Sequence, residues 1–171
     1  MTIRYENTFR DMMAFCFYHY PRTPMVIGVY GVGFALVSLA LIQALPGNAS
    51  LVVKITTFLI MDLIAFLVIA GFCAVLVVLS MVSRRNKTLL TDHTITLEDG
   101  SFVEETAYNN TDHKWTGVQK LARTRRHIFI YVSQHAAHVI PRRAFRDDTE
   151  WDSFYEYCRQ KIPKAQPKRS I

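Results

Sequence analysis

MVIGVYGVGFALVSLALIQAL, from Met25 to Leu45, decides the fold, because this stretch contains no charged residue. As a helix rising about 1.5 Å per residue, it covers the apolar core of a bilayer, which is about 30 Å thick. It is too long and too far from the amino terminus for a secretory signal peptide, and no small-residue cleavage site follows. The stretch therefore predicts a membrane-spanning helix.

A second apolar stretch, Leu51–Val82, follows a Pro- and Gly-containing turn at residues 46–50. Together the two stretches predict a two-helix transmembrane hairpin over residues 25–82. The second stretch is longer than one span needs. If the span ends at Arg84 and Arg85, it begins near Leu59–Asp62.

Asp62 is the acidic residue of the hairpin, and Lys54 is its basic residue. With the span beginning near Leu59–Asp62, we expect Lys54 outside lipid and Asp62 at the outer interface. An ionisable residue inside a span marks a candidate functional site. A transport or relay role, an interfacial position and a local hydrogen bond all remain open for Asp62.

Basic residues flank the hairpin at both ends, whereas the connecting loop carries only Lys54. This asymmetry predicts that both termini face the cytosol, in a two-pass protein of the plasma (inner) membrane. The flanking basic residues are Arg4, Arg10, Arg22, Arg84, Arg85 and Lys87.

Small residues one helical turn apart recur in both predicted spans. Gly31 and Ala35 form such a pair in the first span, and Ala70 and Ala74 form one in the second. Faces of this kind let helices approach closely in lipid. We expect the two helices to pack there.

Residues 1–24 precede the hairpin and form a cytosolic segment. Thr2–Glu6 is predicted to be a short strand. Thr8 and Asp11 match a T-x-x-D capping pattern that opens a helix over roughly Phe9–Tyr20.

Residues 83–163 form the predicted cytosolic domain, which has a strand-like period. Strands are predicted at residues 94–97, 101–108, 127–133 and 136–140, with a further strand through Val118 and Leu121 and a turn at 109–112. A helix over residues 149–162 follows. The fold class is thus an α+β membrane protein, in which a small antiparallel sheet of about five strands is closed by a carboxy-terminal helix. A basic tail, predicted to be disordered, occupies residues 164–171.

Several stretches of this domain resemble the YcxB-like family. They are Glu104-Glu105-Thr106, Trp115, HIFIYVS at 127–133, Val139–Phe145, Trp151 and Phe154, and similarity extends loosely to residues 4–24. The most specific stretch is Pro141–Phe145, where Arg142 replaces the lysine of the family's "IPKRAF"-type motif. The resemblance implies two spans and a fold similar to pleckstrin-homology domains. It implies no established activity.

The sequence offers no catalytic or cofactor-binding pattern. The cysteines, Cys16, Cys73 and Cys158, have no metal-ligand spacing, and glycines form no phosphate loop. His135 and His138 are separated by three positions on a predicted strand, with no acidic residue nearby in sequence to complete a metal site. The chain is therefore interpreted as non-enzymatic, with no cofactor and no metal.

Two arginine clusters are the strongest binding signal in a chain of formal net charge +6. If residues 126–142 form a hairpin, the clusters meet at one sheet edge, where guanidinium groups attract phosphates or carboxylates. No aromatic platform accompanies them, which argues against nucleic acid. The clusters are Arg123, Arg125 and Arg126, and Arg142, Arg143 and Arg146.

The leading hypothesis is a membrane protein whose basic domain binds an acidic protein partner or anionic lipid, as an adaptor, a regulator or a toxin-immunity protein. The hairpin is too short for a pore unless the protein forms a homo-oligomer. The alternative is an accessory subunit of a transporter or channel, with Asp62 on its working surface.

Overall fold

The computed structural model describes residues 1–82 and 89–163. The described residues divide into two compact units. One unit consists of residues 1–17 and 89–163, and the other consists of residues 18–82. Arg84, Arg85, Lys87 and the tail at 164–171, on which predictions were made above, lie outside the described residues.

The second unit contains two long helices, α2 (Pro24–Ala44) and α3 (Leu51–Val82), joined by a short turn. Pro46 closes this turn by accepting a hydrogen bond from Ala49 N at 2.9 Å. Both helices are long and apolar enough to span a membrane. The two-helix hairpin predicted from the sequence is therefore present.

Helix α3 covers the whole predicted apolar stretch, Leu51–Val82. The part of this helix that lies in lipid, predicted to begin near Leu59–Asp62, stays a prediction. The helix starts directly after the turn because Ser50 accepts a hydrogen bond from Val53 N at the first helical turn. The position of Asp62 relative to the membrane interface likewise stays a prediction.

The contact between α2 and α3 differs from the predicted small-residue faces. Ser38 Oγ donates to Asp62 Oδ1 at 2.6 Å, and Phe34 stacks on Phe66 with ring centroids 6.4 Å apart. A polar pair between apolar helices favours this face. The predicted packing residues Gly31, Ala35 and Ala70 are exposed, and Ala74 is half-buried.

Seven strands form two antiparallel sheets among the described residues, where a single sheet of about five strands was predicted. The first sheet has the order β1 (Thr2–Glu6), β2 (Asp92–Leu97), β3 (Ser101–Thr106) and β4 (Asn110–Lys114). The second sheet has the order β5 (Lys120–Arg123), β6 (His127–Tyr131) and β7 (Ala137–Pro141).

Two of the differences have a clear physical reason. β1 pairs with β2, with Thr2 opposite Thr96, and so extends the first sheet by a strand from the other end of the chain. Residues 110–112, predicted as part of a turn, belong to β4 because β3 supplies their hydrogen-bonding partners. A short 3-10 turn at Trp115–Gly117 separates β4 from β5.

The hydrophobic core lies between the facing sides of the two sheets. Ile95 and Phe102 come from the first sheet, and Ile128 and Ile140 come from the second. Helix α4 (Asp148–Lys161) packs against this core with Trp151, Phe154 and Cys158. Its first turn is capped by Asp147, whose side chain accepts a hydrogen bond from Glu150 N.

Helix α1 (Phe9–His19) packs with its amino-terminal part on the other face of the second sheet. Phe15 contacts Phe129 and Tyr131, with ring centroids 5.7 and 5.9 Å apart. The predicted capping pattern is confirmed, because Thr8 N and Thr8 Oγ1 both donate to Asp11 Oδ2. Residues 1–17 are thus an integral part of the strand-rich unit and not a separate segment.

Candidate anion-binding groove

A groove of 570 Å³ lies where the first turn of α1, the β5–β6 turn and the end of β7 come together. Five arginines line it: Arg10, Arg125, Arg126, Arg142 and Arg143. All five residues are exposed. The groove therefore presents a concentration of positive charge to solvent.

The β6–β7 hairpin brings the two predicted arginine clusters together. His127 lies opposite Pro141, and Arg142 N donates to Arg126 O at 2.8 Å. Arg125 and Arg126 thereby come to lie beside Arg142 and Arg143. The geometry expected from a hairpin at residues 126–142 is present for these four residues.

Arg123 and Arg146 do not line the groove. Arg123 pairs with Asp152 and lies over the rings of Trp151 and Tyr155, 5.3 Å from each centroid. Arg146 pairs with Glu150 one helical turn later. Both arginines thus pair with residues of α4 and not with residues of the groove.

The floor of the groove is a buried carboxylate. Asp11 is 2% exposed. It accepts hydrogen bonds from the two terminal guanidinium nitrogens of Arg143, at 2.8 Å to Oδ1 and 2.6 Å to Oδ2. His127 Nε2 lies 2.9 Å from Oδ1, and Thr8 completes the set of donors. Arg143 also donates to Glu6 O at 2.7 Å. This network ties the amino-terminal segment to the second sheet.

The protonation of Asp11 follows from these contacts. Burial by itself raises the pKa of Asp11, but hydrogen bonds from Arg143, Thr8 and His127 outweigh it and hold the pKa well below the ordinary value of 3.8. Asp11 is therefore ionised at neutral pH and forms an ion pair with Arg143.

The other groove arginines differ in their partners. Arg142 pairs with Asp148. Within residues 1–82 and 89–163, no carboxylate lies within ion-pair distance of Arg10, Arg125 or Arg126. These three guanidinium groups are consequently available to an external anion.

Arg10 and Asp11 were not predicted to belong to this site. The sequence indicates only that Asp11 caps a helix and that Arg10 lies beside it. Both reach the groove through a contact between residues more than 100 positions apart in the chain. No local pattern in the sequence connects the capping acid with the distant arginine clusters.

A second polar cluster lies within the core, away from the groove. Glu104 Oε1 lies 2.9 Å from His93 Nδ1 and 2.8 Å from His138 Nδ1, and the rings of His113 and His138 have centroids 4.7 Å apart. No acidic residue lies near His138 in the sequence, but in the structure Glu104 reaches it from the other sheet. His135 lies in the exposed β6–β7 turn, outside this cluster.

Comparison with known proteins identifies one related region. Residues 97–158 match the family model described as YcxB-like protein, and this match runs from the last residue of β2 into α4. No curated protein and no solved structure matches the chain. The matched region, about a third of the chain, contains Arg125, Arg126, Arg142 and Arg143. The resemblance noted for Glu104–Phe154 is therefore confirmed for residues 97–158, which are similar to the YcxB-like family.

Proposed function

We propose that this chain is a non-enzymatic, membrane-tethered binding module whose basic groove holds an anionic ligand. The observation that carries the proposal is the groove itself, with five arginines of which Arg10, Arg125 and Arg126 face no carboxylate in the described chain. Guanidinium groups in such a fork-like array suit carboxylates and phosphates. An acidic protein surface or an anionic lipid headgroup supplies these groups.

The exposure of the apolar helices supports insertion in a membrane. Only 6% of the apolar window of α2 and none of that of α3 is buried. Large side chains such as Leu36, Leu67 and Val68 are each about 60% exposed. Apolar patches of this extent are not left in water by monomeric soluble proteins. A lipid environment accounts for them.

The pairing of β1 with β2 supports a two-pass topology. These strands lie on opposite sides of the hairpin in sequence, and residues within one sheet lie on one side of a membrane. An even number of crossings satisfies this requirement. The basic residues that flank the hairpin favour the cytosolic side, which gives a plasma (inner) membrane protein with both termini in the cytosol.

The two packed sheets and closing helix are compatible with the pleckstrin-homology-like fold that the YcxB-like resemblance implies. An adaptor, a regulator and a toxin-immunity protein each act by holding a partner, and the groove suits all three through the same chemistry. Its arginines come from two segments of the YcxB-like region and from α1, so a ligand that spans the groove would contact all three segments.

The transporter-accessory alternative rests on Asp62. In the hairpin, Ser38 Oγ lies 2.6 Å from Asp62 Oδ1 and 2.7 Å from Phe34 O, and its single hydroxyl proton is donated to one of these oxygens at a time. A structural role in helix packing thus accounts for an acidic residue within an apolar helix. The binding module is therefore the better-supported function.

Charge reversal at Arg125 and Arg126 tests the groove. Both side chains are exposed and form no ion pair within the described residues, so Arg125→Glu with Arg126→Glu is expected to leave the fold intact. Each arginine contributes about 1 kcal/mol near an anionic surface, so the double change is expected to weaken binding about thirtyfold or more. Binding is measured with the full-length, detergent-solubilised protein and two probes, nanodiscs containing phosphatidylglycerol and an oligoglutamate peptide.

The matched control is Lys114→Glu with Arg159→Glu, which makes the same change in charge at exposed positions outside the groove. We expect this variant to bind as the wild-type protein does, and neutral phosphatidylcholine nanodiscs to bind neither. Preference for one probe identifies the source of the anion as lipid or protein. Equal binding by the groove and control variants, or no binding of either probe by the wild-type protein, would contradict the proposal.

A further inference from the structure

The polar cluster inside the core is formed by residues from both sheets. His93, Glu104 and His113 lie on β2, β3 and β4 of the first sheet, and His138 lies on β7 of the second. Glu104 is directly opposite Ile95, and His113 is directly opposite Phe102. Since directly paired residues point to the same face of a sheet, these polar side chains share the core-facing side.

The hydrogen bonds fix which histidine nitrogens carry protons. A carboxylate only accepts, so Nδ1 of His93 and Nδ1 of His138 each donate to Glu104 Oε1. An ion bound by both His138 Nδ1 and Glu104 Oε1, which lie 2.8 Å apart, takes the place of the proton that these two atoms share.

The remaining nitrogens are buried without partners. Nε2 of His93 and Nε2 of His138 form no hydrogen bond in the described part of the chain, although both atoms are inaccessible to solvent. His93 is 6% exposed as a residue. A buried polar atom left unpaired costs free energy, and such atoms in a native protein call for a ligand, an ion or a water molecule.

Three of these residues have the geometry of a ligand set. One ligand atom from each of Glu104, His113 and His138 lies within 4.8 Å of the other two. Bonds of about 2 Å to one ion require ligand atoms about 3.3 Å apart, a change within reach of small side-chain rotations. Two imidazoles and one carboxylate form a donor set typical of Zn²⁺ and of other divalent transition metals.

We propose that Glu104, His113 and Nδ1 of His138 bind a divalent transition-metal ion of the Zn²⁺ type, which replaces the hydrogen bond between His138 and Glu104, and that His93 positions Glu104 through its own hydrogen bond. Three protein ligands leave a fourth position for a water molecule or another small ligand. Because His138 comes from the second sheet and the other two ligands come from the first, the ion cross-links the sheets.

Titration with Zn²⁺ tests the site. The full-length protein is purified in detergent with a tag that contains no histidine, treated with a chelator and titrated with Zn²⁺ in a calorimeter. We expect one Zn²⁺ per chain and a higher unfolding temperature with Zn²⁺ bound. Loss of a residue that only orients a ligand costs 10- to 100-fold in affinity, so His113→Gln and His138→Gln are each expected to cost about 100-fold or more.

His135→Gln is the matched control, because His135 is exposed in the β6–β7 turn outside the cluster, and it is expected to keep the wild-type affinity. The circular dichroism of each chelated variant reports whether it is folded. If a variant does not fold, Co²⁺ absorption of the wild-type protein, which reports nitrogen and oxygen ligands, decides the question. No Zn²⁺ binding by the wild-type protein, or undiminished binding by folded His113→Gln and His138→Gln variants, would overturn the proposal.

Discussion

Replacing Asp11 with asparagine is expected to lower the free energy of unfolding of the strand-rich unit by about 3 kcal/mol. Removing one member of a buried ion pair costs about 3–5 kcal/mol, and the lower end applies because Arg143 is half-exposed. The asparagine also turns an NH₂ group toward donors that the carboxylate satisfied. Arg143, His127 and Thr8 then compete for fewer acceptor sites.

The effect depends on pH in a defined direction. The pKa of Asp11 is lowered in the folded protein, so its contribution is complete above the ordinary value of 3.8 and is lost as the pH falls toward the folded-state pKa. The difference in stability between wild-type protein and Asp11→Asn should therefore be largest near neutral pH. It should shrink below about pH 3.8.

Urea denaturation of the detergent-solubilised protein, followed by circular dichroism at several pH values, measures both effects. Asp92→Asn is the matched control, because Asp92 forms an exposed ion pair with Arg4 at 3.5 Å. Such pairs contribute about 0–1 kcal/mol. Similar stability losses in the two variants, or a loss in Asp11→Asn that does not change with pH, would contradict the role assigned to Asp11.

Replacing Trp151 with alanine is expected to cost about 3–5 kcal/mol, which is usual for a large aromatic side chain removed from a core. Trp151 is 1% exposed and packs edge-to-face on Phe145, with ring centroids 5.1 Å apart. It is one of the residues through which α4 packs against the core. Its loss opens a cavity and also removes the ring under Arg123.

Asp152→Ala on the same helix is the control, because Asp152 is 57% exposed in its side chain and pairs with Arg123 at the surface. We expect it to cost no more than about 1 kcal/mol. Proteolysis at increasing urea concentrations compares the variants without relying on tryptophan fluorescence. A stable Trp151→Ala variant would show that α4 is not needed to close the core.

Helices and strands that are marked by a pattern within their own segment were predicted from the sequence. The uncharged run Met25–Leu45 predicted α2, the T-x-x-D pattern predicted the start of α1, and the β-branched run at 127–131 predicted β6. Residues 110–112 were missed as part of a strand, because their turn-forming character is overridden by pairing with β3. A pairing between strands is a property of two segments and not of one.

For the candidate sites too, contacts within one hairpin could be predicted from the sequence, and contacts between distant segments could not. The meeting of Arg125 and Arg126 with Arg142 and Arg143 followed from one predicted hairpin, so it was within reach of the sequence. The bond from His138 to Glu104 joins two sheets across 34 positions, and that from Arg143 to Asp11 joins positions 132 apart. Local periodicity contains no information on such contacts.

The groove is built from two parts of the chain: β1 and α1, which precede the hairpin, pack on the strands that follow it. Thr2 and Thr96 are directly opposite each other on β1 and β2, with hydroxyl oxygens 3.2 Å apart. Directly opposite residues have Cα atoms about 4.5–5.5 Å apart, within reach of a disulfide bond. A cysteine pair at these positions therefore reports the pairing of the two ends.

The most direct measurement is disulfide formation by Thr2→Cys with Thr96→Cys in native membranes under mild oxidation, identified by mass spectrometry of the proteolytic peptides. Thr2→Cys with Asp112→Cys is the control, because β4 lies at the opposite edge of the first sheet, about 14 Å away. We expect an intramolecular disulfide between positions 2 and 96 and none between positions 2 and 112. Absence of the first disulfide, or equal formation of both, would contradict a groove assembled from the two ends of the chain.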